Sequence, residues 1–455
     1  MQTESANLKV ELSGEVQWHL LTRIAFRFVF AFLLLFFFPS PFELSSDWVS
    51  MISPKIVPWV ASTALHEQIP QIRYSGMAIG DDVYSIARSL LLMAIASVAT
   101  MVWSIADRRR RHYETAHGWL QLYTRVILGW FMLDYGSWKV VFPDQMRAPT
   151  LSTLIVPFGD LSPTARLWLF MGSSQLYTFC CGTVEMLGGA LLFVPRLTAI
   201  GALISAVALT NVFLLDVSYD VDVRHLALLM LLMSVFLLAP DLRRIWDVSV
   251  LNRSVESRPA RPLFKRRSIE YAVLGLTMLT GCYWFGSDLI REWNHSKAIS
   301  EKQLNAPYYG VWAVDQFAVD GTELPPLFTD PLRWKLIVFD WGPYEAKPSI
   351  VIHFGPGTRR LLSMDFDSGR KSITLVQPRR EGSISPEEQA LQPLPPKAGS
   401  LTVTDAEPGR LVLDGDLDGL KIRAVLHRAT PAPVVRKWLY RWYHSGPFWG
   451  DDIII

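Results

Sequence analysis

The chain has 455 residues, half of them hydrophobic and only 19% charged, with 44 Lys and Arg against 42 Asp and Glu. Mean hydropathy is positive, which excludes an ordinary soluble enzyme of this length and marks an integral membrane protein, with the lipid bilayer as its first partner and no nucleic acid expected. Cys180, Cys181 and Cys282 all lie inside apolar runs, so a disulfide framework is not expected.

Seven apolar runs come close to the roughly 20 helical residues that cross a bilayer. They fall at about 23–39, 86–106, 118–142, 166–194, 197–216, 222–240 and 269–287. After a tail over 1–22, the first run ends in Phe36-Phe37-Phe38-Pro39 without a small-residue cleavage pattern and reads as a retained anchor. Residues 23–115 hold the first two spans. Their connection carries "WVSMISPKIVPWVASTAL" from Trp48 to Leu65, apolar but broken by Pro54 and Pro58, which suits an interfacial or re-entrant segment. Residues 116–241 hold four spans, 242–268 a basic loop, 269–288 the seventh span and 289–305 a linker.

Basic residues set the expected orientation. Arg108 to Arg111 follow the second span, and Arg243, Arg244, Lys265, Arg266 and Arg267 lie between the sixth and seventh, so both loops belong in the cytoplasm. The connections 40–85 and 143–165 are poor in Lys and Arg and face outward. The N-terminus is then cytoplasmic and the C-terminal domain extracytoplasmic.

Glu185 sits near the middle of the fourth run. A charge there costs about 3 kcal/mol on insertion scales, so it needs an interior position and a partner. On one continuous helix Tyr177, Cys181, Glu185 and Gly188 share a stripe with Ser174 close by, and Gly182, Gly188 and Gly189 admit a neighbouring helix. Counting depth from His117 and from Arg196 puts Arg125 and Glu185 both roughly 12–17 Å from the cytoplasmic side, which predicts an Arg125–Glu185 ion pair. A structural network that fixes helix register competes with a ligand or proton site.

Nearer the outer surface lie Asp134, Tyr135, Lys139, Asn211 and Asp216, then "SYDVDVRH". Tyr135 and Lys139 share a face, whereas Asp134 is about 140° from Lys139 around the axis and looks to another helix for its partner. Asp220, Asp222, Arg224 and His225 open the sixth span where headgroups and water solvate them. The vicinal Cys180-Cys181 pair reads as packing rather than redox chemistry, and the histidines show no metal-ligand spacing.

Beyond about residue 290 the pattern turns to short alternating stretches: "GVWAVDQFAV", "RWKLIVFDW", "PSIVIHF", "RRLLSMD", "KSITLVQ", "SLTVTD", "RLVLDG" and "LKIRAVLHR". Eight strands with Asp/Gly turns predict an antiparallel barrel or sandwich over 306–430, its interior holding one apolar ligand or filled by its own side chains. Gln377 to Ser400 is Pro-rich and polar, a flexible loop. No phosphate loop, nucleophile elbow or metal motif names a reaction, so enzymatic activity is left open. Residues 431–455 mix Arg436, Lys437 and Arg441 with six aromatic rings, which suits either a membrane interface or a helix bracing the barrel.

The block "YTRVILGWFMLDYGSWKVVFPDQMRAP", with "SPTARLWLFMGSSQLYTFCCGTVEMLGGALLFVPRLTAIGALI" and "NVFLLDVSYDVDVR", resembles the DoxX family of bacterial membrane proteins. It looks most like the enlarged members with extra N-terminal spans and a C-terminal β-domain. Tyr135, Gly136 and Lys139 match a Tyr-Gly-x-x-Lys element, Phe170, Met171 and Gly172 a Phe-Met-Gly element, Gly182 and Glu185 a Gly-x-x-Glu element, and Asn211 stands ahead of Tyr219-Asp220. Arg224 stands where the family commonly has lysine, and Gly80-Asp81-Asp82 where it has Gly-Asp-Thr.

The fold so expected is an α-helical membrane bundle of about seven spans with a DoxX-like four-helix core, plus a C-terminal antiparallel β barrel of lipocalin-like type. The resemblance implies, for some relatives, association with quinone-linked or thiol-linked membrane oxidoreductases. The expected function is a bacterial inner-membrane, quinone- or lipophile-binding accessory of a membrane redox complex, with a membrane or periplasmic redox protein as partner. Arg125, Asp134, Tyr135, Lys139, Tyr177, Glu185 and Asn211 are the expected ligand-binding residues, and Asp81, Asp82, Asp220 and Arg224 the outer-loop candidates. No haem, flavin or iron–sulfur motif is seen, so electrons must come from a partner and quinone is the one cofactor considered. The alternatives are a transporter or channel-like module using the same charges, and a non-catalytic envelope assembly factor.

Overall fold

The computed structural model describes residues 18–37, 49, 55–69, 80–110, 112–140, 146, 149–256, scattered helical positions between 272 and 294, then 308–341, 348–367, 369, 371–377 and 397–429. The helices in chain order are α1 (Leu20–Phe36), α2 (Ile56–Val60, continued by a π turn over Ala61–Leu65), α3 (Val83–Ala106), α4 (Glu114–Val140), α5 (Leu151–Leu154), α6 (Pro163–Ser173), α7 (Gln175–Leu192), α8 (Thr198–Ser218), α9 (Arg224–Leu238) and α10 (Leu242–Ser249). Described residues of 1–142 and 179–294 form one compact unit, and those of 143–178, 295–379 and 394–455 a second.

In the helical unit three stretches are long and apolar enough to cross a membrane, Val83–Ala106, Pro195–Ser218 and Arg224–Ser249. Their outward faces fit lipid, since Val98, Met101, Val102, Ile105, Val207 and Leu214 are all more than half exposed. Seven such helices are not seen among the described residues. The anchor α1 has only 17 residues, and the seventh run lies mostly outside the described residues, as do the loop over 378–396 and the aromatic-basic segment 431–455. The interfacial segment folds as the short α2 with Val57, Val60 and Ala61 buried in the helical core.

The expected fourth span is two helices rather than one. Ser174 leaves helical geometry at φ −127°, ψ 89°, and its hydroxyl accepts the Tyr177 N–H at 3.3 Å, so it caps α7 instead of lying on its face. Consecutive serines that compete for backbone bonds after Gly172 favour such a break.

All eight predicted strands form. They are β1 (Gly310–Val319), β3 (Trp334–Trp341), β4 (Pro348–Phe354), β5 (Arg359–Asp367), β6 (Ser372–Val376), β7 (Lys397–Glu407), β8 (Arg410–Leu417) and β9 (Leu420–Arg428), and the two-residue β2 (Thr322–Glu323) turns back antiparallel on the end of β1. Neighbours pair antiparallel in chain order, and β1 pairs β9 from Trp312↔Arg428 to Val319↔Ile422, which closes an eight-stranded barrel. Closure removes the exposed edges an open sheet would carry. Trp312, Phe317, Trp334, Ile337, Phe339, Ile352, Leu401 and Leu413 belong to one buried cluster inside it, so the barrel's own side chains occupy its interior.

The connection over 149–161 belongs to this unit. Ser152 donates from its N–H (2.8 Å) and hydroxyl (2.6 Å) to the buried Asp340 carboxylate on β3, while Leu151 and Ile155 pack on Val311, Val338 and Val351. The patterning that predicted the strands gave no sign of this docking.

Candidate functional site

Glycines bring α4 and α7 together. A Cβ on Gly182 would meet the Gly136 carbonyl at 2.5 Å, and one on Gly189 the Gly129 carbonyl at 2.7 Å, so the two backbones touch and run antiparallel. That register puts Leu133 level with Glu185. Arg125 lies eight residues deeper, about 12 Å along the helix.

The predicted ion pair is therefore wrong in its cation. Lys139 Nζ donates to both Glu185 oxygens at 2.6 Å, with the side chains only 12% and 7% exposed. Arg125 Nε instead donates to the Leu192 carbonyl at 3.0 Å, at the end of α7. Depth counted from each helix's own terminus had ignored the glycine-set register. The long lysine stem spans the remaining offset.

Asp216 on α8 is 5% exposed, and its Oδ2 has no hydrogen-bond partner. The Tyr135 ring stacks on Phe131, 6.1 Å between centroids. Gly188 places α8 against α7, since a Cβ there would lie 2.8 Å from Ser205 Oγ. The Lys139–Glu185 pair, Tyr135 and the buried Asp216 thus lie on three helices, α4, α7 and α8, that pack through their glycines within the helical unit.

The same unit holds an array the sequence did not assemble. Asp81 Oδ2 accepts from Arg224 N and Nε, both at 2.8 Å, and Asp81 Oδ1 accepts His225 N at 3.1 Å and lies 2.6 Å from His225 Nδ1. Asp222 accepts the Asp81 N–H, and Arg224 also pairs with Asp220 at 2.8 Å. Burial pushes the Asp81 carboxyl upward, but these four bonds outweigh it and hold the group lowered, at about 2. Asp220 and Arg224 are open to solvent, with side chains 71% and 40% exposed, while the buried Asp81 ties Arg224 and His225 together. Asp82 has a helix-capping role, accepting Tyr84 N and Ser85 N at the start of α3.

Tyr177 lies two turns from Glu185 along α7 and its ring meets Phe170 edge-on at 5.7 Å. Asn211 is on an exposed stretch of α8. Asp134 accepts from Trp138 Nε1 at 3.3 Å, a partner on its own helix. Cys180 and Cys181 are free thiols, and no group of His, Cys, Asp and Glu fit to hold a metal occurs among the described residues.

Two buried arginines had gone unremarked. Arg27, 2% exposed, donates to Tyr113 OH at 2.6 and 3.1 Å, to Ser104 Oγ at 2.7 Å and to the Asp107 carbonyl at 3.1 Å, while Tyr113 donates to Asp107 Oδ2. Arg88 donates to the Phe36 carbonyl and lies over its ring. Both clamp α1 to its neighbours. Their signal was the one that exposed Glu185, a charge inside an apolar run.

The chain matches no family model and no solved structure. A stretch of 133 residues, 27% of the chain, is 28% identical to the uncharacterized protein YwoB of Bacillus subtilis (strain 168) and spans 78% of that protein. That likeness brings no activity with it.

Proposed function

We propose that this is a DoxX-like protein of the bacterial inner membrane whose helical unit binds a quinone-type or other small lipophilic molecule as an accessory to a membrane redox complex. The observation that carries the reading is the buried Lys139–Glu185 pair, with Tyr135 one turn from Lys139 on α4 and a second buried carboxyl, Asp216, on α8, polar groups inside an apolar helical unit. A ligand with an apolar body and a carbonyl head suits such a place. Lys139 and Tyr135 offer donors, and Glu185 is a base within reach of the same ammonium. A bound quinone would supply the electron chemistry; this chain's residues would hold the head and handle its proton.

Seven spans, a cytoplasmic N-terminus and an extracytoplasmic barrel remain the proposed topology. Docking of Ser152 on Asp340 supports it, because that contact needs the connection after α4 and the barrel on one side of the membrane. The partner is a membrane or periplasmic redox protein.

Mass spectrometry of lipophilic molecules retained by protein purified in mild detergent tests the reading. A quinone should copurify with the wild type and be lost from Glu185→Gln and Lys139→Met. Wild type free of any lipophile, or equal retention by all three, would overturn it. Asp216 favours a second reading, a transporter that moves an ion past these charges, for which proteoliposome flux abolished by Glu185→Gln is the mark.

A further inference from the structure

The charges around Asp216 do not balance. Lys139 is taken up by both oxygens of Glu185, and Arg224 by Asp81 and Asp220. The charged and titratable groups on the helices packed around α8 include Lys139 and Tyr135 on α4, Glu185 on α7, and Arg224 and His225 on α9, the last two both bonded to Asp81 before α3. Leaving aside His225, which is bonded to Asp81, the set holds two permanent cations, each engaged by another carboxylate, and three carboxylates, before the outer Asp220. An anion on Asp216 would be buried, without a hydrogen bond at Oδ2 and without a counter-ion of its own. Buried charges of that kind are neutralised rather than tolerated.

We propose that Asp216 is a proton-binding site, and that Lys139 decides which of two carboxylates holds the proton. With the ammonium on Glu185, Asp216 is the neutral acid and Glu185 the anion. Movement of the ammonium to Asp216 reverses the assignment: Asp216 releases its proton to water and Glu185 takes one up. Lys139 is placed for this, because the glycine contacts of α4 with α7 and of α7 with α8 bring its backbone toward the level of Asp216, while its long stem carries the ammonium to Glu185. A ligand that engaged Lys139 or Glu185 would change the protonation of Asp216. The inference stands whatever that ligand is, because its readout is the proton.

A carbodiimide that attacks only protonated carboxyls in apolar surroundings reads this out on the full chain in detergent, with the modified residue mapped by peptide mass spectrometry. Wild type should be labelled at Asp216 and not at Glu185, with labelling falling as pH rises. In Glu185→Gln the freed ammonium turns to Asp216, and the label should be lost. In Lys139→Met both carboxyls should be labelled. Labelling of wild type at Glu185 instead of Asp216, absence of label at Asp216 across the pH range, or undiminished label in Glu185→Gln would each overturn the proposal. If Lys139→Met does not fold, the wild-type pattern and Glu185→Gln still decide.

Discussion

Asp81 is where one side chain does most for its surroundings, since it ties the start of α3 to the start of α9 across 143 residues of chain. Its carboxyl is lowered in the folded state, so its contribution to stability is complete above the ordinary carboxylate range and is lost as pH falls from about 4 through about 2. Acid titration of thermal unfolding should therefore show a wild-type decline in that window that Asp81→Asn, less stable throughout, does not share; parallel curves would refute the assignment. Residue chemistry was partly legible in advance. Glu185 announced itself because a charge in an apolar run must find a partner, but the partner's identity depends on how two helices slide past each other, which one chain's spacing does not encode. Arg27 and Arg88 were open to the same reasoning; Arg27 was hidden by the aromatic residues around it, which made the first run look like an ordinary anchor, and Arg88 by its place near the start of the second.

Helix pairing rests on glycines. Gly136 and Gly182 face each other so closely that a side chain on either must push the backbones apart, and Gly129 and Gly189 repeat this deeper in the unit. Gly182→Val should cost about 1–3 kcal/mol by overpacking and, by displacing α4, should also separate Lys139 from Glu185. Unfolding in graded denaturing detergent measures the first effect. A wild-type midpoint for Gly182→Val would show that the two helices do not pack through this seam. The glycines were recognised in the sequence as a packing face, which proved sound for α7. The fourth run was misread as a single helix because hydropathy is blind to Ser174, whose hydroxyl substitutes for a backbone acceptor and starts α7 afresh.

At the scale of the whole molecule, alternation of apolar and polar residues was enough to place all eight barrel strands, because half-buried strands repeat every two residues whatever their order. A closed barrel was one of the two architectures the alternation allowed, and the pairing of β1 with β9 selects it, whereas the capture of the 149–161 connection depends on contacts remote in sequence that the pattern does not carry. Asp340→Ala removes the acceptor of two Ser152 bonds, charge-assisted links of about 1.5–3 kcal/mol each. Limited proteolysis should then cut within 149–161 while the barrel stays resistant; cleavage unchanged from wild type would mean that the docking contributes little. The helical unit is held differently, by buried ion pairs and glycine seams, and its polar centre is the feature from which the proposed ligand and proton chemistry both follow.

A double-mutant cycle on Lys139→Met and Glu185→Gln, read by unfolding in denaturing detergent, tests that centre most directly. Lys139→Met strands Glu185 and should cost roughly 3–5 kcal/mol, Glu185→Gln should cost less because the ammonium turns to Asp216, and the double variant should recover about 1 kcal/mol or more of the summed loss. Costs that add to within about 0.5 kcal/mol would contradict the pairing and the site built upon it.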